Sequence, residues 1–127
     1  MTRIAFLHTG AVVIPPVAAL AAELLPGVTP VNYLDDKIVA DLRDPRLAGS
    51  VEGRLESLAR AAKDGGADAV MFTCSSISQL AAPVAEKVGI LVLRIDEAMA
   101  DIAVASGSRI AVIATLPTTC EPTTALI

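Results

Sequence analysis

Five short apolar runs rich in branched residues, Arg3 to Leu7, Thr29 to Leu34, Ala67 to Thr73, Ile90 to Arg94 and Arg109 to Ala114, are separated by stretches long enough for a helix. That alternation predicts βα units, and consecutive βα units build a parallel sheet. Helices are expected from about Pro15 to Leu25, Val51 to Asp64, Ser76 to Val88 and Asp96 to Ser106. In the second of these, Leu55, Leu58, Ala59 and Ala62 recur at helical spacing, and Gly65-Gly66 supplies the stop. The tail from Thr115 reads as a helix beginning near Glu121, with Pro122 in its first turn. The chain then stops two turns or fewer into that apolar helix, which is unusual for a complete domain.

Right-handed crossovers arrange these runs in the order 2-1-3-4, with strand five beside strand four or lent elsewhere. The expected fold is an α/β, flavodoxin-like one: an open, mainly parallel sheet of four or five strands with helices on both faces. Composition agrees, since 54% hydrophobic residues with only 2% aromatics means a core of Ala, Val, Ile and Leu. A chain of 127 residues is one domain and buries about two-thirds of the surface that its unfolded form exposes.

A formal charge of −4 gives nucleic acid and anionic membranes no reason to approach. The apolar stretch after Arg3 is broken by His8, Pro15, Pro16 and Glu23, whereas a membrane span needs about 20 predominantly apolar residues. A soluble, cytoplasmic protein is expected. Two cysteines far apart show neither metal-ligand spacing nor a disulfide framework, which suits a reducing compartment.

The chemistry concentrates where the third run ends, at Phe72-Thr-Cys-Ser-Ser76. In open α/β sheets the ligand crevice lies beyond the carboxyl ends of the strands. Cys74 is therefore expected at a cleft, beside hydroxyls suited to a bound carboxylate. A buried free cysteine followed by a serine helix cap at Ser75 or Ser76 would give the same letters. In this topology His8-Thr9-Gly10, Cys74-Ser75-Ser76 and the segment Thr115 to Thr119 share one rim. No glycine-rich phosphate loop is present, so the rim suits a small carboxylate better than a nucleotide. Asp35 and Asp36 read as a turn and helix cap. Asp96 and Glu97 read as first-turn helix acids, with Asp96 also on the rim.

Four motifs occur together in order: Ile4-Ala-Phe-Leu-His-Thr-Gly10, Gly66-Ala-Asp-Ala-Val-Met-Phe-Thr-Cys-Ser-Ser76, Val92-Leu-Arg-Ile-Asp-Glu97 and Arg109-Ile-Ala-Val-Ile-Ala-Thr115. On these the chain resembles the N-terminal portion of the aspartate/glutamate/hydantoin racemase family. The resemblance implies two pseudo-symmetric α/β lobes, no cofactor, and a cysteine from each lobe flanking the substrate's α-carbon. It makes Cys74 the acid/base of this lobe, with Thr9, Gly10, Ser75, Ser76 and Thr115 at the carboxylate and His8, Thr118 and Thr119 as auxiliary residues. His8 stands where many members carry Asp. Residues 1–108 would be the N-terminal lobe. Residues 109–127 would be the first strand and helix start of a second lobe, otherwise missing, or the fifth strand of the same sheet.

A thiol suits this task because a free thiol titrates near 8.5, close enough to neutrality to take or give a proton. Racemisation requires both acts on opposite faces of the carbon. Cys120 does not match the family's second cysteine and is expected to be incidental. Three readings follow. They are a racemase-type acid/base enzyme acting on a small carboxylate or amino acid, a cysteine-dependent isomerase or decarboxylase of a small diacid, and a non-catalytic domain that binds carboxylates or self-associates. The apolar fifth run and tail predict a homodimer, and the isolated chain is expected to have little or no racemase activity.

Overall fold

The computed structural model describes residues 1–127. Four strands form the sheet: β1 Thr2–His8, β2 Val28–Leu34, β3 Ala69–Phe72 and β4 Leu91–Arg94. Their order is β2-β1-β3-β4, and every pairing is parallel. The register sets Ala5 between Val31 and Val70, and Phe6 between Asn32 and Met71.

Because side chains alternate along a strand, Ala5 and Leu7 of β1 share one face with Val70 and Phe72 of β3. Helix α3, Val51–Asp64, and helix α4, Ala81–Val88, cover that face with Val51, Leu55, Ala59 and Ala62 from one and Ala81, Val84 and Val88 from the other. These residues form the main core cluster. The opposite face presents Phe6 and Met71 to helix α1, Ile14–Leu24, whose Val17, Leu20, Ala21 and Leu24 fall on one stripe. Helices therefore lie on both faces, as the crossover rule requires. Two glycines punctuate the route: Gly66, at φ +87°, closes the end of α3, and Gly89, at φ +68°, closes α4.

Three local expectations change. Residues 109–114 form no strand, and no backbone N–H or C=O from Gly107 to Thr115 joins a backbone hydrogen bond. A strand exists only through its partner, and this segment has none beside it. The final helix, α6, spans Pro117–Leu126 instead of starting near Glu121; Pro117 occupies its first turn and Pro122 lies inside. The stretch after Cys74 begins as a 3₁₀ segment, Ser75–Leu80, before α4. A short helix α2, Ile38–Asp41, and helix α5, Glu97–Ser106, complete the chain. No helix is long and apolar enough to cross a membrane.

Candidate functional site

Parallel pairing sends the carboxyl ends of all four strands to one edge. Bonds beyond the strands tighten that edge: Asp35 N donates to His8 O, Thr73 N to Leu7 O and Ile95 N to Phe72 O, each at 3.1 Å. The loops bearing the candidate residues thus start from a fixed platform.

Cys74 occupies the N-cap position of the 3₁₀ segment in an extended conformation, φ −137° and ψ 123°. Its side chain is half-buried against the core cluster, and its thiol makes no hydrogen bond. Its carbonyl accepts from Ile77 N at 3.3 Å. Neither Ser75 nor Ser76 acts as the expected helix cap, because no side chain caps this segment. Ser76 Oγ instead lies 2.8 Å from Thr118 Oγ1 and 3.2 Å from Thr119 Oγ1. Residues more than 40 positions apart thereby join the 3₁₀ segment to the start of α6. Beside them lies a cavity of about 240 Å³ lined by Leu42, Ser76, Gln79, Pro117, Thr118, Glu121 and Pro122.

The other candidates are placed differently. Thr9 is buried, Gly10 opens a short 3₁₀ turn with space around it, and Thr115 is exposed. None of the three, nor Ser75, nor Cys74 itself, lines that cavity. His8 is sealed from solvent, with Nδ1 2.8 Å from Thr73 Oγ1 and Nε2 2.8 Å from Asn32 Oδ1. It therefore fastens three strand ends together, with its ring closed to solvent. Cys120 is exposed on α6, with its Sγ 3.9 Å from Leu116 O. No group of three or more His, Cys, Asp or Glu side chains is placed to hold a metal ion.

Two ionic networks brace the edge, and neither is visible in sequence spacing. Asp96 is buried, accepting from Ser78 Oγ at 2.9 Å and from Arg94 Nε at 3.3 Å. Ser78 follows Cys74 by one turn, so this acid supports the cysteine segment from behind. On the other side Arg54 of α3 clamps Asp35 at 2.7 Å and Asp41 at 2.6 Å, and Lys37 also donates to Asp41. The hydrogen bond from Lys37, followed by that from Arg54, holds the Asp41 carboxyl below the usual carboxylate range. Asp35 Oδ1 also accepts from Lys37 N at 3.2 Å, the turn that paired acids after a strand suggested. The clamp fixes the β2 to α3 connection from which Leu42 reaches the cavity.

A model of the Asp/Glu/Hydantoin racemase family matches residues 8–127, nearly the whole chain and all of the edge described above. No curated protein gives a significant match. With its 2-1-3-4 parallel sheet and the Thr-Cys-Ser-Ser turn at the end of β3, the chain belongs to the Asp/Glu/hydantoin racemase family.

Proposed function

We propose that the chain carries one acid/base half of a cofactor-independent racemase site, with Cys74 exchanging the α-proton of a small carboxylate or amino acid. Family membership supports a racemase or isomerase type of role. The observation that carries the finer reading is that Ser76, two residues after that thiol in sequence, meets Thr118 and Thr119 beside a cavity of about 240 Å³. Hydroxyls there suit a carboxylate that must accept charge as the α-proton leaves. Thr9, Gly10, Ser75 and Thr115 are proposed as outer contacts. His8 serves as a strut behind it.

A single thiol approaches a carbon from one face, so a second acid/base group must approach from the other. Cys120, on the outer side of α6 and bonded to its own helix turn, is not assigned that part. Self-association is the proposed assembly, as a homodimer. Its support is the apolar segment before α6, where Ile110, Val112, Ile113 and Leu116 are exposed.

The test is α-hydrogen exchange of a panel of amino acids in deuterated water, with Cys74→Ser and Cys74→Ala compared. Exchange on one stereochemical face, lost in both variants, is the expected result. Native alkylation provides the second readout: iodoacetamide should modify Cys74, and small carboxylates should slow the reaction. A Cys74 that reacts only after unfolding would remove the thiol from any acid/base role.

A further inference from the structure

The cavity beside Ser76 offers a carboxylate hydroxyls but no positive charge, because its single ionisable lining residue is Glu121, an acid. A cation for an anionic substrate has to come from elsewhere on the edge. The register pairs Arg94, the last residue of β4, with Phe72 of β3, and neighbouring strands lie about 4.8 Å apart. Its backbone thus starts one strand over from Cys74 and two residues short of it. Paired residues of parallel strands share a face, and Cys74 packs against the same core cluster as Phe72, so Arg94 and Cys74 lie on one side of the sheet.

A guanidinium carries its N–H donors in a planar fork. Arg94 engages only one nitrogen of that fork: Nε donates to Asp96 Oδ1 at 3.3 Å, Nη1 bonds no protein atom, and Nη2 is buried without an acceptor. A buried N–H left so bears its full desolvation penalty. Arg54, by contrast, spends Nε, Nη1 and Nη2 on Asp35 and Asp41. Arg43 is exposed, where water serves it. Asp96 stands at the N-cap of α5, yet its side chain makes no cap bond; it turns to Arg94 and to Ser78 Oγ at 2.9 Å, and that hydroxyl lies 3.5 Å from Cys74 O. One carboxylate therefore joins the guanidinium to the turn that bears Cys74.

We infer that Arg94 binds a carboxylate of the substrate: Nη1 and Nη2, the outer edge of the fork, donate to its two oxygens, and Asp96 holds the guanidinium beside the Cys74 turn. Paired N–H donors on one edge match the spacing of carboxylate oxygens, a fit that neither a lysine nor a hydroxyl gives. The site thereby selects an anion, monoacid or diacid, over a neutral amide of the same shape. Acidic amino acids satisfy it. The inference rests on the reading that Cys74 acts on a small carboxylate, and it supplies the positive charge that the hydroxyls of Ser76 and Thr118 lack.

Succinate and succinamide share a shape and differ in charge, so they isolate the effect. In NMR titrations of the full chain at neutral pH and constant ionic strength, succinate should move the Arg94 Nε–H signal and the Cys74 and Ser78 amides, and succinamide should leave them in place. Arg94→Gln should weaken succinate on the order of tenfold or more, and Arg94→Lys, which keeps the charge and loses the fork, should fall between. Asp96→Asn breaks the same ion pair but keeps the cation and an acceptor for Nε, so it should bind succinate at least as well as the parent; it also decides the matter if Arg94→Gln does not fold, which spectral dispersion shows. An Nε–H that succinate moves no more than succinamide does, or an Asp96→Asn that loses succinate as Arg94→Gln does, overturns the role of Arg94. Succinate that slows alkylation of Cys74 by iodoacetamide without moving the Nε–H overturns Arg94 and spares Cys74; a moved Nε–H beside a Cys74 that stays inert supports Arg94 and removes Cys74.

Discussion

His8 Nδ1 lies 2.8 Å from Thr73 Oγ1, and the Thr73 hydroxyl is also 3.1 Å from the carbonyl of Leu7, the residue preceding that histidine. A hydroxyl has one proton to give. If it goes to Leu7, Nδ1 must itself carry a proton and donate to Thr73. A neutral ring then accepts at Nε2, which requires Asn32 to turn its amide nitrogen inward; with its oxygen facing the ring, both imidazole nitrogens donate. In each arrangement His8 binds β1 to the ends of β2 and β3, through the residue that precedes Cys74.

His8→Ala should therefore lower stability by ~2–4 kcal/mol, through the cavity it opens and the Thr73 and Asn32 groups it strands. Urea unfolding measures this. A loss under about 1 kcal/mol would show that these polar groups find other partners.

Arg54→Ala should cost ~1–3 kcal/mol, because it leaves the buried Asp41 with Lys37 alone. The pH dependence has a definite sign. Asp41 titrates lower when folded than when unfolded, so its contribution is fully present above the unfolded value near 3.9 and disappears as pH falls through the folded value. The urea midpoint should be level between about pH 7 and 5 with respect to this group and decline below about pH 4. Arg54→Ala and Lys37→Ala should each flatten that decline. An unaltered acid profile in both variants would contradict the assignment.

Two glycine substitutions should move stability in opposite directions. Gly89 sits at φ +68°, so Gly89→Ala should cost ~1–2 kcal/mol. Gly53 lies within α3, and a Cβ there meets nothing within 4 Å, so Gly53→Ala should stabilise by ~0.5–1 kcal/mol. Thermal unfolding of the two variants distinguishes them directly.

Sedimentation at micromolar concentration should show a dimer. Ile113, 95% exposed in the segment before α6, is the residue to test. Ile113→Lys should shift the equilibrium to monomer without loss of helix content. A monomeric parent protein would overturn the proposed assembly.

The sheet order was legible because each strand carries its own run of branched residues and each crossover has one favourable hand. Helix α3 was legible from Leu55, Ala59 and Ala62, whose spacing needs no tertiary information. The segment 109–114 shows the limit: its branched residues fit a strand, yet strand formation depends on a neighbour that sequence pattern does not supply. Pro122 misled for another reason. A proline tends to open helices, but Pro117 already does so here, leaving Pro122 inside at the cost of one helical bond. At the candidate site, the turn that bears Cys74 was readable. The pairing of Ser76 with Thr118 and the clamp of Arg54 on Asp35 are long-range, and local spacing left no trace of either.

The nine residues from Gly107 to Thr115 that share no backbone hydrogen bond divide the chain kinetically. Their amides should exchange with deuterated solvent at nearly free-peptide rates, whereas those of β1 and β3, paired on both sides, wait for global opening. Proteases would find the same opening, and a cut there would detach α6 from the platform. Helix α6 supplies Thr118, Thr119 and Glu121, so the proposed site is only as durable as its least protected tether.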